Sequence, residues 1–237
     1  MSVHYSETFS RVFRDTINWI ENTEQESSPR GLKVKERLLA TLPINPIYPI
    51  ANFSDRKFNW KYFAGELAWY LKKDRDIDYI NNFSSFWKGI TNPGTNEINS
   101  NYGHLIFSDK YHNQYGQVLD ELIRNPDSRR ACMVYNRPSI WMEYNENDKN
   151  DFICTNSVTY YIRDNILHAV VQMRSNDVVF GYKNDYAWQF EIMNRLVKDW
   201  NDCKFEEYDT GDKISLGSMI WQVQNLHVYE RHFHLVK

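Results

Sequence analysis

The sequence predicts an α+β fold, with helices packed on one side of a mixed sheet. Three observations carry this expectation. Phe9, Val12, Phe13, Ile17 and Ile20 recur at helical spacing near the start of the chain. From Ala131 onward the chain turns to runs of β-branched and aromatic residues. Helical spacing then returns at Phe190, Met193, Leu196, Val197 and Trp200, ahead of a closing strand.

Taken in order, residues 6–24 read as an amphipathic helix and the polar stretch 24–31 as a surface loop. Phe63, Leu67, Tyr70 and Leu71 mark a second helix, broken by the charged run 72–76. Residues 92–96 form a loop, and Asn125-Pro126-Asp127-Ser128 is turn chemistry just before Arg129 and Arg130. Strands are expected over 131–135, 158–162, 167–173 and 218–223. Periodicity leaves the strand order open. No internal repeat or low-complexity segment divides the chain, and one domain over 1–237 is expected.

With 237 residues, 42 % hydrophobic and 16 % aromatic, the chain can bury a substantial core and is not a disordered segment. A net charge of −3 without a long basic run argues against a protein whose main task is gripping nucleic acid. The three cysteines, Cys132, Cys154 and Cys203, form no C-x-x-C pair, which fits a reducing compartment. The N-terminus lacks the basic and apolar segments of a signal peptide, and no apolar run approaches ~20 residues. A cytoplasmic protein is the expectation.

The candidate chemistry clusters in the second half. Cys154 sits in Phe152-Ile153-Cys154-Thr155-Asn156. Most free cysteines are inert core residues, so the pattern alone favours that reading. Arg174, Arg129 and Arg130 would lower its pKa if they converged on one phosphate. Arg174-Ser175 offers a guanidinium fork and a hydroxyl from adjacent positions, a match for phosphate oxygens. His227 and Tyr229 lie two apart on a strand and share a face. Asp185 is a candidate N-cap for a helix beginning near Tyr186, which leaves a role in a site open to it.

Read together, Asn125 to Arg130, Arg174-Ser175-Asn176-Asp177 and Asp185 resemble the thymidylate synthase family, over most of the chain. Glu66, in Gly65-Glu66-Leu67-Ala68-Trp69-Tyr70, resembles the helix bearing that family's essential glutamate, and Tyr102-Gly103 its turn facing the nucleophile. The resemblance implies that Cys154 is the nucleophile and that Arg174 and Ser175 hold a nucleotide phosphate. It places Asn176 and Asp177 in the substrate site, Asp177 also near a folate ring, and His227 and Tyr229 on the sugar 3′-hydroxyl. Arg30 takes the part of an N-terminal phosphate arginine, and Trp87 is a wall for the folate. The resemblance further implies a homodimer formed through a sheet face, with Arg129 and Arg130 reaching the partner's phosphate. No metal is implied.

Cys154-Thr155-Asn156 departs from the synthases, which place proline before the cysteine and histidine after it. It is similar instead to the branch that hydroxymethylates deoxycytidylate. The synthases read uracil with an asparagine, and Asp185 stands at that position. An ionised aspartate only accepts hydrogen bonds, so it pairs with the 4-amino group of cytosine and repels the uracil carbonyl. Sharing a proton with N3 would require a raised pKa. The resemblance thus implies dCMP and 5,10-methylenetetrahydrofolate as substrates, with water completing a hydroxymethyl group. A deoxycytidylate methyltransferase, a uracil-modifying relative and a catalytically silent nucleotide binder are the alternatives. The family continues with a C-terminal segment that closes over the folate; this chain ends at Leu235-Val236-Lys237, so the expectation is either a different closure or a more open folate site.

Overall fold

The computed structural model describes residues 7–47, 49–51, 57–91, 94–144, 150–208 and 213–236. Ser6 at the expected start of the first helix, and Asn92 and Pro93 of the expected loop, lie outside the described residues. Strand β1 is Glu7–Thr8 and helix α1 is Phe9–Glu21. Its apolar stripe, Phe9, Val12, Phe13, Ile17 and Ile20, is buried as the spacing requires. The expected loop over 24–31 carries a short strand β2, Glu26–Ser27, and a 3-10 turn, Pro29–Gly31.

Strand β3, Val34–Asn45, is absent from the periodicity. Val34, Ala40 and Ile44 are buried, whereas Leu38 and Leu39 are exposed, and Leu39 has a φ of 61°. The strand therefore shows no alternation of period two, and Pro43 reads as an interruption. Helix α2 is Trp60–Lys72; Asn59 caps it by accepting from Tyr62 N at 3.0 Å, and Lys73 ends it in the left-handed conformation. Helix α3, Tyr102–Phe107, crosses it closely. A Cβ at Gly103 would stand 1.8 Å from the Tyr70 carbonyl oxygen, so the crossing requires glycine. Helix α4 is Gln114–Arg124, strand β4 Cys132–Val134 and helix α5 Ile140–Glu143.

Strands β5, Thr155–Arg163, and β6, Ile166–Met173, form a hairpin. Its two-residue turn is Asp164-Asn165, both at positive φ, the conformation that matches strand twist and that these residue types tolerate. Strand β7 is Asn176–Asp177, helix α6 Gly181–Tyr208 and strand β8 Ser215–Tyr229. Among the described residues the sheet runs β1-β3-β8-β6-β5-β4, with β2 joined to β3 and β7 to β8. Strand β8 is antiparallel to β3 and parallel to β6, so the sheet is mixed, as expected.

One face of this sheet is closed by helices. Val158, Tyr160, Leu167, Ala169, Val171, Met219 and Trp221 point into the core. Tyr182 and Tyr186 of α6 pack on Trp221, Phe9 of α1 stacks on Tyr186 at 4.0 Å, and Tyr70 of α2 meets Trp188 at 4.9 Å. The alternate residues, among them Thr159, Tyr161, His168, Val170 and Ile220, are half-buried. No helix among the described residues is long and apolar enough to cross a membrane.

Candidate active site

The pairing of β5 with β6 sets Thr155 opposite Met173, so the residues just outside the ladder meet: Arg174 N donates to Cys154 O at 2.9 Å. The Arg174 guanidinium turns back over the same loop. It donates from Nε to Ile153 O at 2.9 Å and from Nη2 to Phe152 O at 2.5 Å, lies 3.5 Å from Cys154 Sγ, and covers the Phe152 ring. These residues border a cleft of about 2290 Å³. That exceeds the ~300–1,000 Å³ of a common single-ligand pocket, and leaves room for two substrates side by side.

Every expected site residue except Arg129 and Arg130 lines this cleft: Arg30, Glu66, Trp87, Tyr102, Cys154, Arg174, Ser175, Asn176, Asp177, Asp185, His227 and Tyr229. Arg129 and Arg130 are exposed elsewhere, and Arg130 is paired with Glu121 at 3.0 Å. Neither lines the cleft that holds Cys154. Arg30, at φ 55°, donates to Asn150 Oδ1 at 3.2 Å across the cleft mouth.

Within the single chain the arginines that act on the Cys154 thiol are Arg174 and Arg30, and they do not offset its desolvation. Burial pushes the thiol up to about 11; Arg174 and, more weakly, Arg30 pull it down, while the Asp185 and Asp151 charges push it up. Desolvation outweighs one guanidinium that already serves two carbonyls. Below the thiol, Thr155 Oγ1 donates to Tyr102 OH at 3.0 Å, and Tyr102 stacks on Tyr70. The loop bearing Cys154 is fixed by Asp151, which accepts from Asn99 N at 2.5 Å, Ser100 N at 2.9 Å and Ser100 Oγ at 2.5 Å.

Glu66 and Asp185 are two of the carboxyls that line the cleft. Glu66 is 6 % exposed. Burial raises its pKa to about 7, against hydrogen bonds from Tyr62 and Tyr70 that lower it. Asp185 is not a helix N-cap: α6 begins four residues earlier, at Gly181. Its Oδ2 instead accepts from Asn176 Nδ2 at 2.7 Å. Burial first, then the Glu66 charge, push the Asp185 pKa up to about 8, while the bond from Asn176 lowers it. This raised pKa is the condition under which Asp185 could share a proton with a ring nitrogen, since its acid form has one O–H donor and remaining acceptor capacity.

At the far end, His227 and Tyr229 project from the end of β8 into the cleft, their rings in edge contact at 5.1 Å. Asp177 pairs with His227 through β7 and accepts from Val179 N at 2.8 Å. Trp87 is only 6 % exposed and gives its Nε1 proton to Tyr62 OH at 3.2 Å; its neighbour Phe86 is 59 % exposed and offers the larger apolar surface.

A thiol beside an arginine, a protonatable acid at the cleft floor and a buried glutamate suit nucleophilic addition to a base, with proton exchange nearby. The thymidylate synthase family model matches residues 46–237. The chain belongs to the thymidylate synthase family. The deoxycytidylate 5-hydroxymethyltransferases of Enterobacteria phages T4 and T6 are each 46 % identical over 179 residues, 75 % of this chain and 70 % of the phage protein. A thymidylate synthase of Fusobacterium nucleatum is 26 % identical over 173 residues, 71 % of this chain and 56 % of that enzyme.

Within this family member, the residues that sequence reasoning passed over are Tyr62, Tyr70, Asp151 and Trp221. Tyr62, Glu66 and Tyr70 are spaced by four, so one helix face carries all three, and that signal was available. Asp151 holds backbone and has no motif. Trp221 donates to Asn176 Oδ1 at 3.3 Å, a contact that strand periodicity cannot show.

Proposed function

We propose that this chain is a deoxycytidylate 5-hydroxymethyltransferase, which converts dCMP, 5,10-methylenetetrahydrofolate and water to 5-hydroxymethyl-dCMP and tetrahydrofolate. The observation that carries the reading is Asp185 at the floor of the cleft that holds Cys154, in a chain 46 % identical to phage enzymes of that name. Asp185 accepts from the cytosine 4-amino group and shares a proton with N3, whereas its carboxylate repels the 4-carbonyl of uracil. Arg174 and Ser175 take the phosphate, with Arg30 at the mouth. His227 and Tyr229 take the sugar hydroxyl, and Asp177, Trp87 and Phe86 border the folate. Occupation of Arg174 by phosphate frees the carbonyls it now holds.

Cys154 adds as thiolate to C6, and Asp185 passes its proton toward N3 as charge builds on the ring. C5 then bonds to the one-carbon unit of the folate. Loss of the C5 proton and cleavage of the carbon–nitrogen bond release tetrahydrofolate and leave an exocyclic methylene. Water adds there, its oxygen bonding to the methylene. Cys154 departs as the C5–C6 double bond re-forms. Glu66, with a pKa near neutrality, exchanges the protons of these steps. The active form is a homodimer built on the half-buried sheet face, where Arg129 and Arg130 serve the neighbouring phosphate.

The test is product analysis after incubation with dCMP and methylenetetrahydrofolate. Hydroxymethyl-dCMP supports the reading, and methyl-dCMP would make the chain a methyltransferase instead. With 5-fluoro-dCMP and the folate, mass spectrometry should find an adduct on Cys154. A chain that binds dCMP without product or adduct would be a silent relative.

A further inference from the structure

Glu66 lies between two phenols of its own helix, at positions four before and four after it. Tyr62 OH donates to Glu66 Oε1 at 2.6 Å. Trp87 Nε1 donates to Tyr62 OH at 3.2 Å. The indole N–H can donate and never accept. It occupies the acceptor side of the phenol, so Tyr62 turns its single proton toward Glu66. The direction of the chain is thereby set from Trp87 through Tyr62 to the carboxyl. The indole and the carboxyl are buried, Trp87 and Glu66 each being 6 % exposed, so bulk water competes poorly with either bond.

We propose that Tyr62 is a positioning residue, which the one-way hydrogen-bond chain from Trp87 uses to hold Glu66, so that Glu66 takes up and releases its proton on Oε2. Oε1 accepts from Tyr62, and because an unprotonated carboxyl oxygen is the better acceptor, this bond biases the proton to Oε2. Exchange with substrate or water in the cleft therefore runs through the other oxygen. The phenol also stabilises the ionised carboxylate against its burial, as that of Tyr70 does more weakly, and so helps to keep Glu66 titrating near neutrality beside Asp185, whose own pKa the Glu66 charge raises. Helix α2 makes the arrangement possible, because residues four apart on it are neighbours and Asn59 caps the turn in which Tyr62 sits.

The catalytic part of this inference rests on the proposed function, but the titration of Glu66 does not. Infrared difference spectra against pH, with the Glu66 band identified by its loss in Glu66→Gln, read the carboxyl in the free protein. Tyr62→Phe removes the hydroxyl and keeps the ring. Its Glu66 midpoint is expected to rise by roughly one to two pH units, the effect of losing one hydrogen bond to a charged group. Trp87→Phe, which leaves Tyr62 in place but frees its direction, should give a smaller upward shift. Thermal melts confirm that each variant is folded. In turnover assays, Tyr62→Phe should move the Glu66 limb of the kcat profile upward by the same amount, with the Kd for dCMP changed less than about threefold. An unmoved midpoint in folded Tyr62→Phe overturns the proposal, and an unmoved midpoint in Trp87→Phe alone overturns the one-way chain. If the unmodified protein yields no hydroxymethyl product while the midpoint still shifts, the functional reading fails and the positioning of Glu66 stands.

Discussion

Asn176 Nδ2 stands 2.7 Å from Asp185 Oδ2, and the pair is fixed from behind by Trp221, whose indole donates to Asn176 Oδ1. A donor-only indole decides which end of the amide faces the acid. Gly181 completes the fit: a Cβ there would lie 3.2 Å from both Asn176 Nδ2 and Asp185 Oδ2. Asn176, Trp221 and Gly181 thus shape the surroundings of one carboxyl.

The pH dependence of dCMP binding follows from this. If the acid form reads cytosine, affinity is full below the Asp185 pKa of about 8 and falls as pH rises through it. Asn176→Leu removes a bond that favours the carboxylate, so the fall should move to higher pH. Titration calorimetry between about pH 7.5 and 10, where the substrate phosphate is almost wholly ionised, reads both midpoints. A binding curve flat across this range would show that the ionised form serves equally well.

Cys154→Ser should keep the fold and dCMP binding and lose turnover by orders of magnitude, because serine without a dedicated base is a far poorer nucleophile. The free thiol, pushed up to about 11, should alkylate slowly with iodoacetamide at pH 7 and progressively faster toward pH 10. Arg174→Gln should slow it further at each pH. Peptide mass spectrometry separates Cys154 from Cys132 and Cys203. Fast, pH-independent alkylation would contradict a thiol pKa held above its ordinary value.

Composite sites predict complementation. Arg130→Ala and Cys154→Ser are each expected to be inactive as homodimers. Mixed dimers regain one site that has both groups, so up to about a quarter of the unmodified activity should return after subunit exchange. Verified exchange without recovery would place Arg129 and Arg130 outside the phosphate site.

Much of this site is written in the sequence. Cys154, Glu66, Arg174 and Asp185 carry their identity in short motifs, and the cleft gathers them because β5, β6, α2 and α6 follow recognisable periods. What the sequence hides has physical causes. Strand β3 lacks alternation because Leu38 and Leu39 face outward beside buried Ala40. The start of α6 is masked because Lys183, Asn184 and Asp185 border the cleft rather than the core, so their polarity imitates a cap. The protonation of Asp185 depends on burial and on Glu66, more than one hundred positions away in the chain, which no local pattern encodes.

Asp185→Asn tests base reading most directly. The acid can donate to N3 and surrender that proton as Cys154 adds, whereas an amide holds its protons throughout. With dCMP the variant should therefore lose kcat more than binding. With dUMP the amide can offer an acceptor to N3–H and a donor to the 4-carbonyl, so kcat/KM should rise. Each polar mismatch is worth roughly 1–3 kcal/mol, so the combined swing in the dCMP to dUMP ratio should be tens-fold or more. Stability gives an independent check. Asp185 has its pKa raised from 3.8 to about 8 on folding, so its contribution is fully present below about pH 4 and is lost as pH rises through about 8. The amide has no such term. Thermal melts of Asp185→Asn should therefore gain on the unmodified protein between pH 5 and pH 8. A ratio of kcat/KM values that does not move would remove Asp185 from base reading. A parallel pair of melting curves would show that its carboxyl titrates in the folded protein as it does in water.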